Sequence, residues 1–229
     1  MPRRFTALRV AALAAAIIAV PAVADAQKKP KPPKPKPYTI PGPVSITGNP
    51  NPTVFSTPVT ISGDVKDAKG GVTVTLQRRP STGGPFADVT SGKTNNAGKY
   101  SLVNRPAVNV YYRVVAATTP AQQSGELLVK VRMLVGFSVS DSTPAKGSRV
   151  RFRGIVRPPH NGRRAAIQKR TSTGGWVTIA RPRLRALDSK SSRYSKRIRV
   201  RRDGTYRVRV IGHADHAMGI SRERTLTVH

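Results

Sequence analysis

His213-Ala-Asp215-His216 is the place in this sequence where imidazoles and a carboxylate crowd together. Nitrogen and oxygen donors of this kind hold zinc-type ions, and in another geometry they move protons. One short loop supplying all three groups, with no partner from a distant segment, is a weak ligand set, so no metal and no cofactor are expected. His160 and the terminal His229 stand apart from it in the sequence. Asp64, Asp67 and Asp88 fall at expected strand ends and turns, where aspartate bonds its own backbone. Thr82-Gly-Gly84 and Thr173-Gly-Gly175 share only their glycine content with phosphate-cradling loops, because neither precedes a helix. No nucleophile, base and oxyanion donors can be assembled from these spacings, so neither an enzyme nor a small-molecule substrate is expected.

The remaining chemistry is cationic. Within 194–211, Ile198, Val200, Tyr206, Val208 and Val210 alternate with Arg197, Arg199, Arg201, Arg207 and Arg209. Period 2 marks half-buried strands, so the apolar set faces a core and the arginines face water. Asp203-Gly204 separates the two runs as a turn. Arg149, Arg151 and Arg153 alternate with Val150 and Phe152 in the same way. If those two arginine strands are neighbours, six guanidinium groups share one face, whereas the matched upstream positions are Pro58, Thr60 and Ser62. Residues two apart on a strand lie about 6.8 Å apart, and unit charges at that spacing repel by roughly 0.6 kcal/mol in water. A polyanion laid across the face removes that cost, and guanidinium forks fit phosphate and carboxylate.

Charge is distributed unevenly along the chain. The net formal charge is +31, and cysteine is absent, which excludes disulfides and thiolate metal sites. Residues 39–131 carry nine basic against four acidic residues, and 132–229 carry 24 against five. Arg149, Arg151, Arg153, Arg197, Arg199 and Arg201 are therefore the expected polyanion-binding set. Arg207, Arg209, Lys28, Lys29, Lys31, Lys34 and Lys36 form a secondary basic set.

Positioning those residues falls to a duplicated β-structure. Val59-Thr-Ile-Ser-Gly63 matches Val150-Arg-Phe-Arg-Gly154, Leu76-Gln77 matches Ile167-Gln168, and Ser81-Thr-Gly-Gly84 matches Ser172-Thr-Gly-Gly175. Tyr112-Arg-Val114 matches Tyr206-Arg-Val208, and Ser124-x-Glu126 matches Ser221-x-Glu223. Strands are expected near 43–47, 58–65, 71–79, 86–90, 99–104, 110–117 and 126–131. In the second repeat they are expected near 134–139, 149–156, 163–169, 175–180, 193–201, 205–212 and 221–228. Turn residues such as Asn95-Asn-Ala-Gly98 and His160-Asn-Gly162 separate them. Many short strands, each wet on one face, are buried most simply by packing two antiparallel sheets face to face.

Both repeats resemble the bacterial Ig-like β-sandwich modules found in tandem in secreted and surface proteins. A glycine in the second strand, the Leu/Ile-Gln pair ending the third, a Gly-Gly turn, Phe86 or Trp176, Asn95-Asn-Ala-Gly-Lys-Tyr-Ser101 and the late Tyr-Arg-Val carry the likeness. The resemblance implies two tandem seven-stranded antiparallel Ig-like sandwiches, at 43–131 and 132–229, with a prealbumin-like or fibronectin-III strand order as the alternative. It places Tyr206 like a tyrosine corner, although the Ig cysteine pair is absent. Trp176 and Phe86 at like positions are read as core or rim aromatics in preference to sugar-stacking platforms.

Residues 1–26 have the basic, apolar and small-residue parts of a secretory signal peptide. Residues 27–42 are rich in lysine and proline, which favours an extended, solvated spacer. The expected protein is exported, non-enzymatic and retained non-covalently at the cell envelope. Its partner would be an anionic cell-wall polymer or an acidic membrane surface, ahead of a protein-recognising adhesion or spacer role and of extracellular nucleic acid.

Overall fold

Alternating burial builds the elements. Val59 and Ile61 are fully buried while Thr60 and Ser62, which alternate with them, are not, and Val150, Phe152 and Val156 are buried between exposed Arg149, Arg151, Arg153 and Arg157. The computed structural model describes residues 38–229. The expected signal peptide and most of the basic spacer, with Lys28, Lys29, Lys31, Lys34 and Lys36, lie outside the described residues.

In chain order the first strands are β1 (Thr39–Ile40), β2 (Ile46–Asn49), β3 (Thr53–Val54), β4 (Val59–Asp64), β5 (Thr73–Pro80) and β6 (Ala87–Lys93). Next come β7 (Lys99–Asn104), β8 (Val110–Ala116), β9 (Gln122–Gln123), β10 (Leu127–Val129) and β11 (Val131–Arg132). The second half holds β12 (Leu134–Val135), β13 (Ser138–Val139), β14 (Arg149–Arg157), β15 (Ala165–Arg170) and β16 (Trp176–Ala180). It ends with β17 (Arg185–Asp188), β18 (Ser191–Arg199), β19 (Gly204–Val210), β20 (Gly219–Ile220) and β21 (Arg224–Leu226). The described residues contain no helix, and the fold is all-β.

Two antiparallel sheets, β1-β2-β4-β7 and β10-β8-β5-β6, enclose one apolar cluster that runs from Val44 to Val129. Two more, β12-β14-β18-β17 and β16-β15-β19-β20, enclose a second from Met133 to Leu226. Phe152 is central to it, stacked on Phe137 at 5.8 Å and edge-on to Tyr206 at 5.1 Å. Each fully buried aliphatic or aromatic side chain stabilises by about 1.5–3 kcal/mol, well above the cost of any one like-charge pair on the surface.

Three features depart from the sequence reading. Asp203-Gly204 does not close a hairpin: β18 and β19 belong to different sheets, so the chain arches from one layer to the other. β18 spans Ser191–Arg199, two residues earlier at each end than expected, and β17 forms in a segment read as loop. Arg185 and Ala186 find partners on the edge of β18, a tertiary pairing that leaves no mark in the local alternation.

The segment joining the halves is clipped on both sides. β11 pairs in parallel with β3, and Ala217 donates its N–H to the Val131 carbonyl at 2.8 Å. Val131 and Met133 are buried there.

The duplicated glycines have a steric cause. In the first half Tyr100, opposite Gly63 across β4–β7, donates its hydroxyl to the Ser45 carbonyl at 2.5 Å. In the second, Tyr194 lies opposite Gly154 and donates to the Gly136 carbonyl at 2.7 Å. A Cβ on Gly63 would sit 2.0 Å from that Ser45 oxygen, and one on Gly154 1.9 Å from that of Gly136. The hydroxyls bonding back to the chain are thus those of Tyr100 and Tyr194, while Tyr206, read as the corner tyrosine, serves as a core aromatic. Burial pushes the Tyr194 hydroxyl far above its ordinary range, so it stays a donor. Gly154→Ala should destabilise by about 1–3 kcal/mol and Tyr194→Phe by about 1–2 kcal/mol. Urea unfolding measures both, and a Gly154→Ala midpoint equal to the parent's would contradict the packing described.

Candidate cationic face

β14 and β18 are neighbours, and their register fixes what the outer face presents. Arg149 lies opposite Arg199, and Arg151 opposite Arg197. Directly opposed residues on antiparallel strands have Cα atoms about 4.5–5.5 Å apart, so the four cations form a tight block. All four are exposed, because Val150, Phe152 and Ile198 face the core between them. Among the described residues Arg79–Glu126 at 2.7 Å is the only Lys or Arg ion pair, and the one other carboxylate contact is Asp215 with the His216 imidazole at 3.1 Å, so no carboxylate neutralises this block.

Arg153 continues the row and is exposed, but it faces Ser195, not another arginine. Next to it a hollow of about 400 Å³ opens, lined by Arg151, Arg153, Ile155, Leu187, Arg193 and Ser195. A second hollow of about 580 Å³ shares Arg193 and Ser195 and adds Arg183, Arg185 and Lys196. Arg193 is opposite Ile155 on one side and Arg185 on the other. It has the same parity as Arg197 and Arg199, a signal already present in the sequence. Arg183 and Arg185 belong to the unforeseen edge around β17, although they flank the buried Leu184 in the same alternating fashion.

Other expected members lie elsewhere. Arg201 is exposed but follows the end of β18, on the arch toward β19. Arg207 and Arg209 are on β19, in the opposite sheet, so they cannot extend this face. Arg207 is moreover committed locally: its guanidinium stacks on Trp176 at 4.0 Å and its Nε donates to Gln168 at 3.0 Å. The first half repeats the arrangement, with Arg113 stacked on Phe86 at 4.2 Å and donating to Gln77 at 2.7 Å. Those repeated motifs are therefore structural, and Trp176 is a half-buried lid over an arginine. Ser124 and Ser221 likewise each accept from a β-strand N–H, that of Val114 and of Val208, at 2.9 Å.

The imidazoles have a different setting. His160, isolated in the sequence, packs against both His213 and His216, with ring centroids 5.5 and 5.0 Å away. The loop that carries His213 and His216 rests on the first half. Asp215 and Ala214 carbonyls accept from the Asn109 backbone at 2.7 Å and the Asn109 side chain at 3.1 Å. Burial, followed by the charge of Arg163, holds the His213 imidazole below its ordinary value. Burial works against the charge of Asp215, but the neighbouring His216 and His160 imidazoles and a backbone N–H together outweigh it and keep the carboxyl below its usual range.

No family model matches this chain, and no curated protein matches it. Among solved structures it is similar to a tetra-tandem repeat from the extending region of a large adhesion protein, at 16% identity and a TM-score of 0.34. That alignment covers 77% of this chain and 48% of the other. It is also similar to a Ca2+-stabilized adhesin with which an Antarctic bacterium reaches out and binds ice, at 15% identity and a TM-score of 0.27, over 77% of this chain and 46% of that one. The chain thus spans about half the length of the structures it matches.

The two groups of arginines should respond to substitution with opposite sign. Arg197→Gln relieves repulsion, raising stability by about 0.2–1 kcal/mol at low ionic strength, with the gain fading in 1 M salt where the screening length is about 3 Å. Arg207→Gln loses its aromatic stack and should lower stability by about 0.5–1 kcal/mol. Paired thermal melts at two salt concentrations measure both, and a destabilised Arg197→Gln would mean that its guanidinium is held by a partner.

Proposed function

We propose that this chain is an exported, non-enzymatic binding protein whose second half docks on an anionic polymer of the cell envelope. The first half and the basic spacer hold that face away from the point of export. One observation carries the reading: the Arg149–Arg199 and Arg151–Arg197 pairs stand in register, exposed and without carboxylate partners. A fold gains nothing from opposing like charges across a ladder, where each such pair costs a few tenths of a kcal/mol to about 1 kcal/mol. Bidentate phosphate or carboxylate groups spaced along a polymer convert that cost into charge-assisted hydrogen bonds. The hollow beside Arg153 and Arg193 gives such a group room to sit below the guanidinium tips, and Ile155 and Leu187 wall it with apolar surface.

Binding of this kind is driven by counterion release, so it falls steeply with salt and reads little sequence. The first half lacks the block, since Thr60 and Ser62 occupy the places of Arg151 and Arg153.

The test is retention of the full chain on immobilised polyphosphate and on poly-glutamate across a salt series, beside duplex DNA and anionic vesicles. Replacing Arg149, Arg151, Arg197 and Arg199 together by Gln should lower the log–log salt slope by about one for each cation that had met an anion. Capture that persists in high salt, or that survives the fourfold substitution, would overturn the proposal in favour of protein recognition. Preference for the duplex over both simple polymers would move it to nucleic acid.

A further inference from the structure

Where the two halves meet, buried nitrogen lone pairs are left without a protein donor. His160 is 9% exposed and His216 only 3%. His160 Nδ1 lies 2.9 Å from the Pro158 carbonyl, and a carbonyl only accepts, so Nδ1 carries the proton and Nε2 of the neutral ring is bare. His216 Nε2 lies 2.8 Å from the Ala107 carbonyl, which by the same logic leaves its Nδ1 bare. Both bare nitrogens are buried and make no hydrogen bond. Beside them Asp215 Oδ2 stands 3.1 Å from His216 Nδ1.

A proton would answer part of this arrangement. Placed on His216 Nδ1 it would pair with Asp215, yet the lone pair of His160 would still face a buried site with nothing to meet. One cation at the shared focus satisfies all three groups together. His160, Asp215 and His216 each offer a ligand atom within 4.8 Å of the others. Tetrahedral zinc needs donors about 3.3 Å apart, with bonds of about 2.0–2.2 Å. Closing the remaining difference takes a small shift among the three side chains, of which Asp215, 48% exposed, is the least confined. The carbonyls of Pro158 and Ala107 are the outer partners that fix each tautomer, the usual arrangement behind metal-binding histidines.

The geometry points to a divalent transition-metal site of the zinc class, held by His160, Asp215 and His216 with water in the fourth position. Two nitrogens and one carboxylate favour zinc over calcium or magnesium, which take mainly oxygen. His213, whose Nε2 is also buried and unpartnered, packs on the His160 ring and shields the site. The site reaches across the joint. His160 follows β14, the other two ligands are in the β19–β20 loop, and that loop is bonded to Asn109 and Ala107 of the first half. Metal binding therefore stiffens the joint, independently of whether the arginine face binds polymer.

The test is titration of the metal-free full chain with ZnCl2, read by calorimetry and by melting. One equivalent should bind, and at a hundredfold excess over Kd the melting temperature should rise by about 5–10 °C and fall back on adding chelator. Three variants each remove one ligand and keep its structural bond or shape. His160→Asn can still donate to Pro158, His216→Gln can still donate to Ala107, and Asp215→Asn leaves the backbone carbonyl on Asn109. Loss of at least tenfold in affinity in each supports the site. Equal binding by all three, or none by the parent, overturns it. Imidazole 15N spectra of the parent decide the matter even if a variant fails to fold: zinc must shift His160 Nε2 and His216 Nδ1, and a shift confined to His229 would sink the assignment.

Discussion

Along β14 and the paired stretch of β18 the residues that face the core alternate with residues that face water, and the cationic face exists under that constraint. Val150, Phe152 and Ile198 are held in the second apolar cluster, so the residues between them have nowhere to point but outward. A slip of one residue in the β14–β18 ladder would drive arginines into the core and valines into water. The register that sets Arg149 against Arg199 is therefore enforced from beneath, by burial worth several times the repulsion it imposes.

The two halves show which features of the duplication belong to the fold. The glycine that leaves room for a tyrosine hydroxyl is present in both, as are the glutamine–arginine–aromatic stack and the serine that accepts from a strand N–H. Each has a steric or hydrogen-bonding reason that is independent of any ligand. What differs is the solvent side of two strands, where Thr60 and Ser62 in one half become Arg151 and Arg153 in the other. Core-facing positions are constrained by packing, and outward positions were free to take up charge.

Much of this was legible from residue order. Alternation located β14 and β19 to within a residue or two, and matching motifs exposed the duplication before any pairing was known. Three things were not readable. That Asp203-Gly204 arches between layers depends on which sheet each flanking strand joins, and a turn dipeptide is silent on that. Arg207, placed in the secondary basic set, still shared the alternation of Arg197, because alternation gives a parity within a sheet and not the identity of the sheet. His160 lies more than fifty positions from His213 in the chain, so only the closing of the fold brings their rings together. Long-range proximity is the property that local pattern carries least.

The clip around Val131 gives the pair of modules a mechanical character. With β11 zipped to β3 on one flank and held by Ala217 on the other, the crossover cannot swivel without giving up backbone hydrogen bonds. Torque or tension applied at one end must pass through that braced segment instead of being absorbed by a free hinge.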